Sequence, residues 1–311
     1  MAAKIPVVDM GKLGLGHFDS PQEEERKQVG NEIAEAFRNV GFVYLKNHGI
    51  PQQVIEEVFS SSKEFFCLDP QIKRNYSRGV TDIQGYTEVN RERLATEKDI
   101  KELRESYDIN RVDGMFPEEV PALNSSTSRI IQYCKDLSTR LLALVELALG
   151  VKKNYFLSSH QRMFGANNPS CLRLLYYPPL SEGYNKEGLI RCGQHTDYGT
   201  FTLLFQDTMG GLEVLNRAGQ WLHADPIPGT ILVNIGDLMQ FWTNDEFVAT
   251  EHRVLVPSEE VKQSRARQSV VCFVHPDDEV LIEPQNSCSS VYTPITSKEH
   301  THRRFQETYS Y

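Results

Sequence analysis

The chain has 311 residues and a formal net charge of −9, with 40% apolar and 24% charged residues. This composition is close to the globular average and is sufficient for a large apolar core. The acidic balance argues against a nucleic-acid partner, which would favour a basic surface. No apolar run approaches the roughly 18 residues of a membrane span, so no membrane partner is expected.

Six cysteines are present, and none of them forms a C-x-x-C pair. A zinc knuckle or redox dithiol is therefore not indicated, and free thiols fit a reducing compartment. The N-terminal sequence M-A-A-K-I-P lacks the apolar region of a signal peptide. We expect a cytoplasmic protein in which Cys67 and Cys272, both in apolar runs, are core residues. The sequence does not predict an oligomeric state.

Residues 1–124 form a region with helical character. Apolar side chains at spacings of three and four between Val29 and Val40 predict one helix face. Phe42-Val43-Tyr44-Leu45 has the composition of a strand. A dense charge run from Lys98 to Arg111 predicts a solvated face or loop.

The longest predicted helix runs from Ser125 to Gly150 and has a broad apolar stripe, typical of a scaffold helix. With its connector it forms region 125–166. Region 284–311 contains Thr296-Ser297-Lys298-Glu299, a capping box that predicts a C-terminal helix.

Region 167–283 changes to short strands separated by Gly, Pro and Asn turns, which favours a sandwich or jelly roll. The predicted strands are Leu172 to Pro178, Phe201 to Gln206, Leu212 to Leu215, Thr230 to Asn234, Glu251 to Leu255 and Ser269 to Val274. The predicted fold is therefore mainly β with flanking helices (α+β). We expect the helix-rich first part to wrap this core in one compact unit.

Three residues in the core region could bind a metal: His195, Asp197 and His252. A strand points alternate side chains to one face, so His195 and Asp197 can aim at one point. Two imidazoles and a carboxylate form the ligand set of non-haem Fe(II) oxygenases and also suit Mn(II) or Zn(II). A lone H-x-D occurs readily by chance, so the surrounding strands carry the prediction. Alternation turns Glu251 away from His252, and His48 precedes a glycine in a turn, where a local hydrogen-bonding role is expected.

A carboxylate receptor is predicted on a later strand. Arg267 and Ser269 share one face by period two, and a guanidinium fork with a hydroxyl suits a carboxylate. Tyr177, across the sheet, could add a second hydroxyl. Arg265 has the same parity as Arg267, so spacing alone leaves both arginines as candidates.

The order of these motifs resembles the isopenicillin-N-synthase-like branch of the Fe(II)- and 2-oxoglutarate-dependent dioxygenases. The resemblance extends from Ile5 to about Glu283. It is carried by Ile5-Pro6-Val7-Val8-Asp9, Gly41-Phe42 through Asn47-His48-Gly49-Ile50, Leu172-Arg173 through Tyr177-Pro178-Pro179, His195-Thr196-Asp197-Tyr198-Gly199-Thr200, Gly210-Gly211-Leu212-Glu213-Val214, Pro228-Gly229 through Asn234-Ile235-Gly236-Asp237, His252-Arg253-Val254 and Arg267-x-Ser269.

The resemblance implies a double-stranded β-helix (jelly-roll) core wrapped by N-terminal and C-terminal helices. It implies Fe(II) bound by His195, Asp197 and His252. It also implies 2-oxoglutarate as cosubstrate, with its distal carboxylate at Arg267 and Ser269 and with Tyr177 nearby. The resemblance favours Arg267 over Arg265, because only Arg267 has a serine two residues later.

The implied reaction uses O2 to oxidise, above all to hydroxylate, a small organic metabolite, with release of succinate and CO2. Two alternatives stay open: an iron oxidase of the same fold that does not use 2-oxoglutarate, and a catalytically silent metal- or ligand-binding protein. The sequence departs from the family in a longer loop at Pro257 to Lys262 and in Leu175, where many plant relatives have an asparagine. The substrate is not predicted.

Overall fold

The computed structural model describes residues 4–17, 22–79, 84–89, 91–92, 94, 100–180, 188–285 and 292–308. In chain order, the strands of these residues are β1 (Val7–Asp9), β2 (Phe42–Lys46), β3 (Gly85–Thr87), β4 (Lys101–Glu102), β5 (Glu105–Ile109), β6 (Cys171–Tyr177), β7 (Leu189–Ile190), β8 (Cys192–His195), β9 (Phe201–Gln206), β10 (Leu212–Leu215), β11 (Trp221–His223), β12 (Thr230–Ile235), β13 (His252–Val254), β14 (Arg267–Val274), β15 (Leu281–Ile282) and β16 (Ile295–Thr296).

The described residues also form seven α-helices, which lie between or after these strands in the chain. They are α1 (Glu23–Asn39), α2 (Gln52–Phe66), α3 (Pro70–Arg74), α4 (Pro121–Leu149), α5 (Asp237–Trp242), α6 (Glu260–Gln263) and α7 (Ser297–Thr308). None of the described helices is both long enough and apolar enough to span a membrane.

Two sheets form the centre of the molecule. The larger has eight strands in the order β1-β2-β12-β9-β14-β6-β5-β3, and the smaller has the order β11-β10-β13-β8. Strands β1, β2, β3 and β5 come from the first 124 residues, so this part of the chain extends the larger sheet as well as supplying helices.

Strand alternation divides the larger sheet into two faces. On β14, Val270, Cys272 and Val274 join the core cluster that contains the buried sides of α1, α2 and α4. The intervening residues Ser269 and Phe273 line a cavity on the opposite face. Because side chains alternate along a strand, one face packs against helices while the other presents polar groups to a pocket.

The predicted helix termini are confirmed at two places. Helix α4 ends before Gly150, whose φ of +64° is left-handed and suits glycine. At the start of α7, the Glu299 side chain accepts from the Thr296 N–H, and the Glu299 N–H donates to Thr296 Oγ1. The longer loop at Pro257 to Lys262 contains the start of the short helix α6.

The interpretation of Lys98 to Arg111 as a solvated face or loop is wrong for most of this run; residues 98 and 99 lie outside the described residues. Within it, β5 is buried along its whole length between β6 and β3. Glu105 accepts a hydrogen bond from Lys73 at 2.6 Å, and Asp108 accepts two from Arg173 at 2.6 and 2.8 Å. Partners that are distant in the sequence pair these charges and permit their burial.

The expectation that Cys67 is a core residue is also wrong. Cys67 follows the last residue of α2 and is exposed, whereas Cys272 on β14 is buried as predicted. The two phenylalanines before Cys67 belong to the buried face of the helix, and one further residue turns the side chain towards solvent.

Candidate active site

Pairing of β8 with β13 brings three predicted ligands together. His195 ends β8 and lies opposite His252, the first residue of β13. Asp197 follows β8 by two residues. Its Oδ1 lies 3.7 Å from His195 Nε2 and 3.8 Å from His252 Nε2. All three candidate donor atoms lie within 4.8 Å of one another.

Backbone carbonyls orient both imidazoles. His195 Nδ1 is 2.8 Å from the Gly193 oxygen, and His252 Nδ1 is 3.1 Å from the Thr250 oxygen. A ring nitrogen that faces a carbonyl must carry the proton, which leaves the Nε2 lone pair directed at the shared centre. Burial, together with the neighbouring His195, lowers the pKa of His252 to about 4, so this imidazole is neutral near pH 7.

Asp197 supplies a carboxylate whose two oxygens have different surroundings. Its Oδ2 accepts from Thr202 Oγ1 and from Asn234 Nδ2, both at 2.6 Å, while Oδ1 faces the imidazoles. Burial opposes ionisation of Asp197, but the two histidines and these hydrogen bonds outweigh it and lower the pKa of the carboxyl. Two imidazoles and one carboxylate without sulfur fit Fe(II).

The second predicted cluster lies where β14 pairs with β6. Arg267 is directly opposite Tyr177, and its guanidinium carbon is 4.8 Å from the tyrosine ring centroid. Arg267 is only 1% exposed and donates to Gly210 O at 2.9 Å and Gln206 Oε1 at 3.2 Å. Its Nη1 lies 3.5 Å from the Ser269 hydroxyl. Burial raises the pKa of Tyr177, so its hydroxyl is protonated at neutral pH.

Arg267 has no carboxylate partner within 4.0 Å among the described residues. Its nearest oxygen contacts are neutral groups, although a buried charge is costly without an opposite charge. Arg265, the competing arginine, is exposed. The local environment therefore distinguishes the two arginines that sequence spacing leaves equivalent.

One cavity connects the two clusters. All six predicted site residues line it. The competitors are elsewhere: His48 Nδ1 accepts from the Ile50 N–H, and exposed Glu251 accepts from Gln194. The local role expected for His48 is confirmed.

Thr202 and Asn234 are site residues that the sequence reasoning missed. Each is a buried polar residue within an apolar strand, Thr202 in F-T-L-L-F-Q and Asn234 in T-I-L-V-N-I. A polar side chain on the inward face of such a strand is the available signal, because burial demands a hydrogen-bonding partner.

Comparison with known proteins finds the 2OG-Fe(II) oxygenase superfamily model over residues 168–276 and the model "non-haem dioxygenase in morphine synthesis N-terminal" over residues 5–125. The chain is 30% identical to the 2-oxoglutarate-dependent dioxygenase htyE of Aspergillus rugulosus, covering 93% of this chain and 94% of the relative. It is similarly 30% identical to homoarginine-6-hydroxylase 2-ODD-C23 of Glycine max, covering 91% and 88%. A full-length Neurospora crassa protein, solved in complex with alpha-KG, matches with a TM-score of 0.85 and 31% identity, covering 97% and 96%.

The chain belongs to the 2OG-Fe(II) oxygenase superfamily. Its two sheets contain the jelly-roll core of this family, which confirms the predicted fold class. The protein is an Fe(II)- and 2-oxoglutarate-dependent dioxygenase that uses O2, as the sequence predicted.

Proposed function

We propose that His195, Asp197 and His252 bind the Fe(II) of this enzyme. The observation that carries the proposal is their convergence, with both Nε2 atoms and Asp197 Oδ1 facing one point. Carbonyl oxygens fix the histidine tautomers, and Thr202 and Asn234 fix the carboxylate. Such outer hydrogen bonds orient metal ligands and strengthen binding.

Arg267 and Ser269, with Tyr177 alongside, bind the distal carboxylate of 2-oxoglutarate in this proposal. A buried guanidinium without an acidic partner among the described residues needs an anion, and its fork matches a carboxylate. When iron, 2-oxoglutarate and O2 are bound, they supply the oxidation of a C–H bond, with release of succinate and CO2. The chain's own residues hold these groups in place and shield them from water.

The substrate side of the cavity suggests an uncharged molecule. Arg173 donates to Asp108 at 2.6 and 2.8 Å and to Glu92 at 2.8 Å, so acidic side chains already engage this guanidinium. Arg104 likewise lies 3.4 Å from Glu92 and 3.2 Å from Glu102. A charged substrate would have to disrupt these buried pairs, which is costly.

We therefore infer that the enzyme hydroxylates a small, uncharged organic molecule with polar groups. Apolar and aromatic side chains, among them Leu204, Phe273 and Phe305, also line the cavity. The full-length Neurospora crassa protein has also been solved with alpha-KG and thymine, which is an uncharged ring, and this chain is 30% identical to it in that complex. We also propose a cytoplasmic location, which free thiols at the described cysteines support.

Turnover of 2-oxoglutarate tests the assignment of the cosubstrate site. Arg267→Met should raise the 2-oxoglutarate concentration needed for half-maximal succinate formation by about 10- to 100-fold, the range expected for a lost charged hydrogen bond. Arg265→Met is the matched control, since it removes the same charge from an exposed position two residues away. An unchanged requirement in Arg267→Met would show that the carboxylate binds elsewhere.

Paired compounds test the substrate class. A first pair is thymine and 5-carboxyuracil, which share a ring and differ in a methyl or carboxylate substituent. Across a panel of such pairs, we expect the uncharged members to stimulate succinate formation more strongly. Stimulation confined to the carboxylates would contradict an uncharged substrate.

A further inference from the structure

Arg191 is a buried cation that neither the metal cluster nor the carboxylate receptor includes. It lies between β7 and β8, where its N–H donates to the Val254 oxygen at 3.0 Å. Arg191 is only 2% exposed. Among the described residues, Nη2 makes one long contact, 3.4 Å to the Arg265 oxygen, and Nη1 is buried without a hydrogen-bond partner.

Arg191 and Arg267 contact the same aromatic ring. Their guanidinium carbons lie 5.9 and 4.8 Å from the centroid of Tyr177. The described residues place no carboxylate within 4.0 Å of either guanidinium. Burial and the neighbouring Arg267 lower the pKa of Arg191 to about 10, so it still carries its charge at neutral pH.

A third buried arginine near Tyr177 provides a comparison. Arg104 also lies near Tyr177, but Glu92 and Glu102 stand 3.4 and 3.2 Å from it. On that side of Tyr177 the fold supplies its own counter-charges. Beside Arg191 and Arg267 it places two positive charges, on which Asp207 acts only from beyond 4.0 Å. An anionic ligand would relieve their repulsion.

We propose that Arg191 is a positioning residue for 2-oxoglutarate, adding a second buried positive charge behind Arg267 and selecting 2-oxo acids that carry a distal carboxylate. This inference rests on the proposed function of Arg267. Arg191 acts through its electric field and through Tyr177, because Arg267 and Tyr177 line the cavity whereas Arg191 does not. In a medium of effective dielectric near 20, a unit charge on the order of 10 Å from the distal carboxylate changes affinity by roughly tenfold.

Direct binding tests the proposal without turnover. Calorimetry under nitrogen would compare 2-oxoglutarate with 2-oxopentanoate, which keeps the 2-oxo acid end and five carbons but has a methyl group in place of the distal carboxylate. The protein is loaded with Mn(II). Arg191→Met should bind 2-oxoglutarate about tenfold more weakly and 2-oxopentanoate within twofold of the unmodified enzyme. A purely structural role would weaken both ligands together.

Two further variants separate charge from packing. Arg191→Lys keeps the charge and should retain the preference for 2-oxoglutarate, while Arg265→Met removes an exposed charge nearby and should leave both affinities unchanged. If Arg191→Met does not fold, loss of the preference in folded Arg191→Lys would overturn the inference. A folded Arg191→Met protein that keeps the full preference would also overturn it.

The proposed function fails by a different result. If the unmodified Mn(II) protein binds neither acid, or if Arg267→Met leaves the preference intact, the assignment of the cosubstrate site is wrong. If Arg267→Met loses the preference and Arg191→Met keeps it, only the role of Arg191 is contradicted.

Discussion

Asp197 illustrates how single residues specify the site. The residue is 6% exposed, and its carboxylate is held by a hydroxyl and an amide that come from two neighbouring strands, β9 and β12. With Oδ2 occupied, Oδ1 is directed at both imidazoles. The orientation of this ligand therefore depends on residues that do not face the proposed metal themselves.

Thr202→Val should weaken metal binding, because valine keeps the shape of threonine but removes the 2.6 Å hydrogen bond to Asp197. Loss of such an outer partner typically lowers metal affinity by about 10- to 100-fold. Competition with a chromophoric chelator would measure the change. Thr230→Val, which removes a hydroxyl bonded to Ile227 O, is the control. Equal affinity in Thr202→Val and the unmodified enzyme would contradict the role given to Thr202.

Among single residues, the sequence predicted the candidate metal ligands but not the side chains that hold the site residues in place. The H-x-D spacing and a later histidine on a strand indicate one face, and the structure places these residues together. Their assignment as ligands stays a prediction until metal binding is measured. Arg191, Thr202 and Asn234 were missed, because their partners Tyr177 and Asp197 lie on other segments of the chain and only the folded structure brings them together.

Among the elements, the packing of α1 on α4 depends on a close backbone approach. A Cβ built on Gly30 of α1 would lie 2.9 Å from the Leu144 carbonyl oxygen of α4. Because that atom belongs to helix backbone, the contact can be relieved only by moving a helix. Glycine is thus required here by the distance between two helices.

Gly30→Ala should therefore destabilise the fold, although alanine normally favours a helix by about 1 kcal/mol. Overpacking of this kind typically costs about 1–3 kcal/mol, so we expect a net loss of stability. Urea unfolding would measure it. Asn31→Ala, one residue later and exposed, should be neutral or stabilising. If Gly30→Ala were as stable as Asn31→Ala, the helices would be free to separate.

Elements with strong local signals could be predicted, and those defined by pairing could not. The apolar pattern of α4, the capping box of α7 and the alternating strands of the core all appear as predicted. The prediction for the segment that forms β5 failed, because its charges are neutralised by Lys73 and Arg173, 32 and 65 residues away. The capping box predicted α7 but could not indicate that Phe305 lines the cavity.

For the whole molecule, one sheet joins regions that the sequence separates. Strands from 167–283 form the centre of the larger sheet and strands from 1–124 flank them at both ends, with β2 beside β12 and β5 beside β6. We propose that 1–124, 125–166, 167–283 and 284–311 fold as one unit, because neither set of strands could separate without exposing a buried sheet edge.

Stability should fall at mildly acidic pH because buried histidines are neutral. His160 is 3% exposed, with Nε2 2.7 Å from Thr200 Oγ1, and burial lowers its pKa to about 4; burial also lowers the pKa of His48 to about 4. An unfolded chain binds protons at these residues below about pH 6.5, whereas the folded protein does not until about pH 4. Their contribution is complete above pH 6.5 and is lost as the pH falls from there through 4.

Each such histidine should cost about 1–2 kcal/mol of unfolding free energy between pH 7 and pH 5. Urea unfolding of the metal-free protein would measure the difference. His160→Gln should show a smaller fall, and His223→Gln, whose side chain is 71% exposed, should behave like the unmodified protein. An equal fall in His160→Gln and the unmodified protein would exclude His160 as a source of the pH dependence.

We infer that this cavity binds iron and the 2-oxo acid end of 2-oxoglutarate at His195, Asp197 and His252, and the distal carboxylate at Arg267 and Ser269. A crystal structure of the anaerobic Fe(II) and 2-oxoglutarate complex, with anomalous data at the iron edge, tests it most directly. We predict one iron peak bounded by His195 Nε2, Asp197 Oδ1 and His252 Nε2, with the distal carboxylate on Arg267 and Ser269. An iron peak at other residues, or a distal carboxylate directed away from Arg267, would contradict this assignment of the iron and cosubstrate sites.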